Sequence, residues 1–318
     1  MSAAIAITGI TARLHRFEVV AVSLLAALGV AATIVIASQL DAVGWTGACE
    51  DAMRRGMTSS DCDANLNEFY GIVSSRGWIV TGLTGFVPLV AAVLLGVAVV
   101  GREIERGTTR LAWALAPSRL RWFAQRFLPV LAFVVVASLL LGVAADRWLA
   151  SSEPGVDPAN ALLQLGQRGP VLAARAVFVL GVALLVGTVM GRLLPAVLVA
   201  AVIATVGIAG GSHVHGRWIA SEAIVIDEAA MSRGDLWIDQ RFRLPDGSLV
   251  GWDEVERYDP PPTEWEDDTV WPTLPSVAIG VPGTRYGEIA LREIAALGGG
   301  SLVAVALAAV VVQRRRPG

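Results

Sequence analysis

Lysine is absent from this sequence: all 25 basic residues among its 318 are arginines. That excludes a P-loop of the chain's own, because the motif needs a lysine on the β and γ phosphates. Charge of either sign is scarce at 17% of residues, where an ordinary globular domain carries about 25%. Cysteines number two and histidines three. The one close histidine pair, His213 and His215, has Glu222 and Asp227 downstream, and on a strand the two rings would share a face. A metal site needs three or four ligands, and no such set forms here. No nucleophile elbow or nucleophile–base arrangement appears either, nor does an internal repeat.

Apolar residues are abundant, at 54%, and they gather into six blocks: 19–40, 78–100, 127–145, 171–190, 193–209 and 290–312. Each is close to or above the ~20 residues that carry a helix across a bilayer. None shows the polar stripe of a soluble core helix. The first block is longer than a signal-peptide core and reads as a retained helix. Blocks one, two, three and five hold no ionisable group. Arg175 sits in the first turns of block four, and Arg292 and Glu293 at the start of block six. These are expected as interfacial anchors that reach the headgroups. Ion-coupled transport normally runs on intramembrane carboxylates or histidines, so secondary active transport is disfavoured.

Charge sets the expected orientation. Arg13 and Arg16 precede the first block, and Arg314, Arg315 and Arg316 follow the last, which places both ends on the cytoplasmic side. Segment 101–126 holds six arginines against two acids and belongs there too, whereas 210–289 holds fifteen acids against six arginines. Cys49 and Cys62 both fall in 41–77, the first external loop. A disulfide closing this short polar loop in an oxidising compartment is the favoured reading, and two free thiols, which the spacing alone does not exclude, the alternative. Within 212–289, residues 236–243 alternate like a strand, Asp246-Gly247 makes a turn, and 248–252 can return as a hairpin partner. Trp218, Trp237, Trp252, Trp265 and Trp271 mark this region and suit a headgroup level.

The expected architecture is an all-α polytopic membrane protein: six transmembrane helices with a small external, partly β domain between helices five and six. Residues 1–211 form helices one to five, with the cytoplasmic loop 101–126. Residues 212–289 form the external domain, and 290–318 the last helix with a basic tail. Gly191-Arg192 joins blocks four and five in a tight hairpin. Gly187 and Gly191 form a small-xxx-small pattern that suits close helix packing, with Pro195 just beyond.

Segment 101–126 is the most informative stretch. It reads as a charged extension of helix two, a break at Gly107-Thr108, a short amphipathic piece, a Pro117-Ser118 turn and a basic entry into helix three. Glu103, Glu105, Gly107, Thr108, Arg110, Leu111, Ala112, Trp113, Ser118, Arg119 and Trp122 resemble the cytoplasmic loop of ABC transporter permeases of the ABC-2 type, especially actinobacterial ones. Arg13-Leu-His-Arg16, the Gly187–Ala196 turn and Arg285-Tyr286 ahead of Glu293 are weaker echoes. The resemblance implies a permease subunit of an ATP-driven exporter in a bacterial plasma membrane. It implies a second permease subunit, two cytoplasmic ATPase subunits that bind ATP and Mg, and no cofactor or nucleic acid on this chain. Glu103, Glu105 and Arg106 would lead into the dock, and 108–115 would touch the ATPase. Arg119 and Arg121 would tether the return to lipid. The alternative is a membrane sensor or immunity protein whose external domain binds a ligand. A membrane-embedded enzyme ranks third, since the spans offer no polar cluster.

Overall fold

The computed structural model describes residues 16–54, 60–261 and 272–315. Arg13, Arg316, Trp265 and Trp271, on which parts of the reading above rest, lie outside the described residues. Six of the helices are long and apolar enough to cross a membrane, so the protein is a mostly helical, multi-pass membrane protein with a small sheet. In chain order the helices are α1 (Arg16–Val43), α2 (Gly47–Arg54), α3 (Ser60–Glu105), α4 (Thr109–Leu115), α5 (Arg119–Ser152), α6 (Gly169–Met190), α7 (Leu193–Ser221), α8 (Trp252–Tyr258) and α9 (Tyr286–Arg314). The spans are α1, α3, α5, α6, α7 and α9.

Several helices outrun their apolar blocks. The 46 residues of α3 reach about 69 Å at 1.5 Å per residue, over twice a hydrocarbon core of about 30 Å. The segment 41–77, expected as a loop, is therefore mostly helix. The reason is a second apolar cluster: Ile36, Leu40, Trp45, Phe69, Val80 and Trp148, flanked by Leu66, Ile72 and Val73. Leu66, Phe69 and Val73 recur at helical spacing, so this stretch buries a stripe that holds it in a helix. Cys49 and Cys62 are joined by a disulfide that ties α2 to the start of α3, with Cα atoms 5.5 Å apart.

Helix α6 is the most enclosed span, whereas α7 and α9 are the least. Small residues set its contacts. A Cβ on Gly96 of α3 would lie 2.8 Å from Ala183 Cβ, and one on Gly187 of α6 would lie 2.8 Å from the Val97 carbonyl oxygen. Gly187 is thus an intrachain packing residue that lets α3 and α6 backbones approach. Helix α9 docks on α6 by the same means: Ser301 Oγ donates to the Val177 carbonyl at 3.0 Å, above Gly181. Along its apolar block, helix α7 buries a line of alanines, Ala196, Ala200 and Ala204, at four-residue spacing.

Away from 101–126, two ion pairs among the described residues lie inside the bundle. Arg168, fully buried at the start of α6, donates to Asp146 Oδ1 of α5 at 3.1 Å. Arg175 of α6 pairs with Glu293 of α9 at 2.6 Å, and their side chains are 16% and 8% exposed. Two of the three expected interfacial anchors, Arg175 and Glu293, are therefore each other's partners. A guanidinium that finds a carboxylate on a neighbouring helix need not reach the headgroups.

Residues 156–163 and 212–289 make a second compact unit. Its antiparallel sheet runs β1-β4-β2-β3, with β1 Ile224–Asp227, β2 Leu236–Arg243, β3 Leu249–Val250 and β4 Ser276–Val281. The β2–β3 hairpin sets Phe242 opposite Val250, and Phe242, Leu244, Val250 and Val255 form its core. Gly247 takes φ +85° in the turn, a conformation that favours glycine. Asp246 Oδ1 accepts from Ser248 N at 2.9 Å and Ser248 Oγ at 2.6 Å, and these hydrogen bonds hold its carboxyl below the usual range. The histidine pair departs from the strand reading, since His213 and His215 lie in α7. Two residues apart on a helix is about 200° of rotation, so the rings leave on different faces.

Candidate coupling elbow between the second and third spans

The connection from α3 to α5 is built from local capping chemistry. At the end of α3, Gly107 N donates to the Ile104 carbonyl and Thr108 N to the Glu103 carbonyl, each at 3.1 Å. Gly107 has φ +68°. This is a Schellman ending, which satisfies two of the helix's last carbonyls and needs a left-handed residue where glycine stands. The chain then forms the short helix α4, with Thr108 at its N-cap position. Ser118 restarts the chain as the N-cap of α5, its Oγ accepting from Arg121 N at 3.2 Å. The expected break, short piece and turn are all present, at the expected residues.

The flanks of this elbow are tied to each other and to three other spans. Glu103 pairs with Arg126 of α5 at 2.7 Å, and Arg102 pairs with Glu18 of α1. Glu105 Oε2 accepts from Leu193 N at the start of α7 at 3.3 Å, where the helix's positive end favours an anion. Arg119 Nη1 donates to the carbonyls of Gln313 and Arg315 at the end of α9, each at 2.9 Å. The same guanidinium lies 4.5 Å from the centre of the Trp113 ring, and Trp113 meets Trp122 edge-on at 6.2 Å. Arg119 was expected as a lipid tether. It is instead a protein contact, because unsatisfied helix-end carbonyls and an indole face recruit a guanidinium.

Between these flanks lies an outward-facing tip. Glu105, Arg106, Gly107 and Thr108 are exposed, Leu111 is 66% exposed, and Leu120 is 49% exposed. Arg110 sits in α4, and its side chain is outside the described set. Gly191 ends α6 at φ +63° and donates to the Gly187 carbonyl at 3.1 Å. Pro195 occupies the first turn of α7, where a proline costs no helical hydrogen bond.

Glu18, Arg126 and Arg315 complete the network and were missed from the sequence. Glu18 and Arg126 immediately precede the apolar blocks at the elbow end, a position that signals opposite charges meeting. For Arg315, more than a hundred residues from its partners, no sequence signal exists. Among the described residues no group of three or more His, Cys, Asp and Glu is placed to hold a metal.

Six membrane-length helices around a central α6, with a capped helical elbow between the second and third, define a multi-pass membrane protein. A family model described as ABC-2 membrane transporter related matches residues 19–214, more than half of the chain, and the chain belongs to that family. The match covers the first four spans, the elbow and most of the fifth span. Membership implies a permease that works in the membrane with an ABC ATPase. Searches of curated proteins and of solved structures find no match.

Proposed function

We propose that the chain is the membrane subunit of an ATP-driven exporter in which the elbow docks on a separate ATPase. The observation that carries the reading is the contrast within 101–126: a tip with Leu111 turned outward between flanks fixed to each other and to α1, α7 and α9. An exposed apolar residue on a firmly held element suits a docking surface. The lysine-free sequence supports placing ATP and Mg on the partner. In this reading the elbow and both chain ends face the cytoplasm of a bacterial cell. Two ATPase subunits serve two permease subunits, and Arg106, Thr108, Arg110 and Leu111 make the contact. An amphipathic or lipid-like cargo is supported by a cavity of about 370 Å³ between α3, α6 and α7, lined by Phe86, Val93, Val179, Val197 and Ile208 with Thr205 as a polar group.

Purification from native membranes tests this. An ABC ATPase is expected to co-purify with the wild-type chain and to be lost from Leu111→Asp, which removes little buried surface from the permease itself. Absence of an ATPase, or its full retention by the variant, overturns the proposal.

A further inference from the structure

Helix α9 is thinly held along its length. Beyond Ile289, Ala290 and Glu293 at its start, its buried face is narrow, made of Ser301, Ala304, Ala308 and Val312, with Gly300 under the Phe178 ring. Its position is fixed by arginines at both ends. Arg175 holds Glu293 near its start, and Arg119 holds the Gln313 and Arg315 carbonyls at its finish. The last four carbonyls of any helix lack intrahelical donors and carry the negative end of its dipole. Although α9 has Arg314 in its own last turn, the donor to those two carbonyls comes from the first residue of α5.

The arrangement repeats one step on. Arg315 Nη1 donates to the Thr188 carbonyl at 2.5 Å, and the Val189 carbonyl lies within 3.5 Å. These are among the last carbonyls of α6. Gly191 leaves the space for this: a Cβ there would lie 2.8 Å from Arg315 Nη2 and 2.7 Å from Ile104 Cγ2. One guanidinium thus joins the elbow to the end of α9, and a second joins the end of α9 to the end of α6. Arg119 also rests on Trp113 of α4, the short helix that carries the outward Leu111.

We infer that Arg119 and Arg315 are positioning residues that carry motion of the elbow through the end of α9 into the central span α6. The inference rests on the reading of the elbow as the ATPase dock. A push on α4 reaches Arg119 through the Trp113 ring, and Arg119 passes it to α9 because its Nη1 is bonded to the Gln313 carbonyl in the last turn and to the Arg315 carbonyl just past it. A lysine does this poorly, since it offers a point charge and no plane to stack. The last span, beyond the stretch matched by the family model, becomes part of the transmission.

The test is pulsed electron–electron spin resonance on the full chain in lipid nanodiscs. Labels go on Ala114→Cys of α4 and Val310→Cys of α9; the native cysteines are in the disulfide. In the free permease the 114–310 distance is expected to be a single narrow distribution. It should broaden in Arg119→Ala, broaden less in Arg119→Lys, and stay narrow in Arg121→Ala, an exposed neighbour. Arg315→Ala, which leaves the Arg119 side chain in place, serves if Arg119→Ala does not fold. It is expected to keep 114–310 narrow and to broaden a pair between Val90→Cys of α3 and Val310→Cys. With ATPase bound, ATP should shift the 90–310 distance in the wild type. That shift should be lost in Arg119→Ala while the ATPase still co-purifies. An unchanged 114–310 distribution in Arg119→Ala, or a full nucleotide shift in that variant, overturns the inference. If the docking reading alone is wrong, no variant responds to nucleotide, yet the broadening in the free permease persists.

Discussion

The buried pair Arg175–Glu293 offers the sharpest test of how α9 is held. Both Nε and Nη2 of Arg175 donate to Glu293 Oε1, at 2.7 and 2.6 Å. The turn before α6 has Gly166 where the guanidinium lies, with no room for a side chain. Changing Glu293 to Gln removes the charge and leaves a guanidinium 16% exposed without its counter-charge. Breaking one side of a buried pair costs about 3–5 kcal/mol. At about 2–4 °C per kcal/mol for a chain of this size, the thermal midpoint should fall by on the order of 10 °C. Arg175→Met should cost a similar amount. The double variant Arg175→Met/Glu293→Leu should recover most of the loss, because two apolar groups replace the pair without leaving a lone charge. The assay is thermal unfolding in detergent, followed by tryptophan fluorescence, for wild type, both singles and the double. If Glu293→Gln shifts the midpoint by only a degree or two, or if the double falls by the sum of the singles, the pair is not what holds α9 to α6.

Gly187→Leu should overpack the α3–α6 contact at Val97 and cost about 1–3 kcal/mol or more, seen as a lowered midpoint in the same assay, with Gly187→Ala milder. Reducing the Cys49–Cys62 bridge, or replacing both residues by Ser, should release a short loop constraint worth about 3 kcal/mol; maleimide labelling before and after reduction checks that both thiols were bonded. Gly107→Val puts a β-branched residue at a left-handed position and is expected to abolish ATPase co-purification while leaving the thermal midpoint near wild type. In the sheet unit, Asp246 has its carboxyl held below its unfolded value of about 3.9 by Ser248. Its support for the turn is therefore full above that value and lost as pH falls through the lower folded one. Asp246→Asn should remove that acid step from Trp252 fluorescence, since Trp252 packs on Phe242 beside the turn.

Much of the elbow was legible because its chemistry is local. Gly107 and Ser118 act on backbone groups within a few residues of themselves, so the two helix ends could be read from their spacing. The Asp246-Gly247 hairpin was legible for the same reason. By contrast, the helical stripe of Leu66, Phe69 and Val73 was masked by its polar neighbours, and a mostly helical segment was read as a loop. The His213–His215 pair was read on a strand because the apolar block ends at 209, whereas α7 runs to Ser221.

By itself, then, the sequence determined the six membrane-length apolar helices and the break and restart of the elbow. Each follows from composition over some twenty residues or from a hydrogen bond a few residues long. The tertiary structure alone decided where the sparse charges go. Arg119 reaches carbonyls 194 and 196 residues away, and Arg175 reaches Glu293 across 118. A charge in an apolar setting must find a partner, but its identity depends on which helix ends the packed small residues bring within reach.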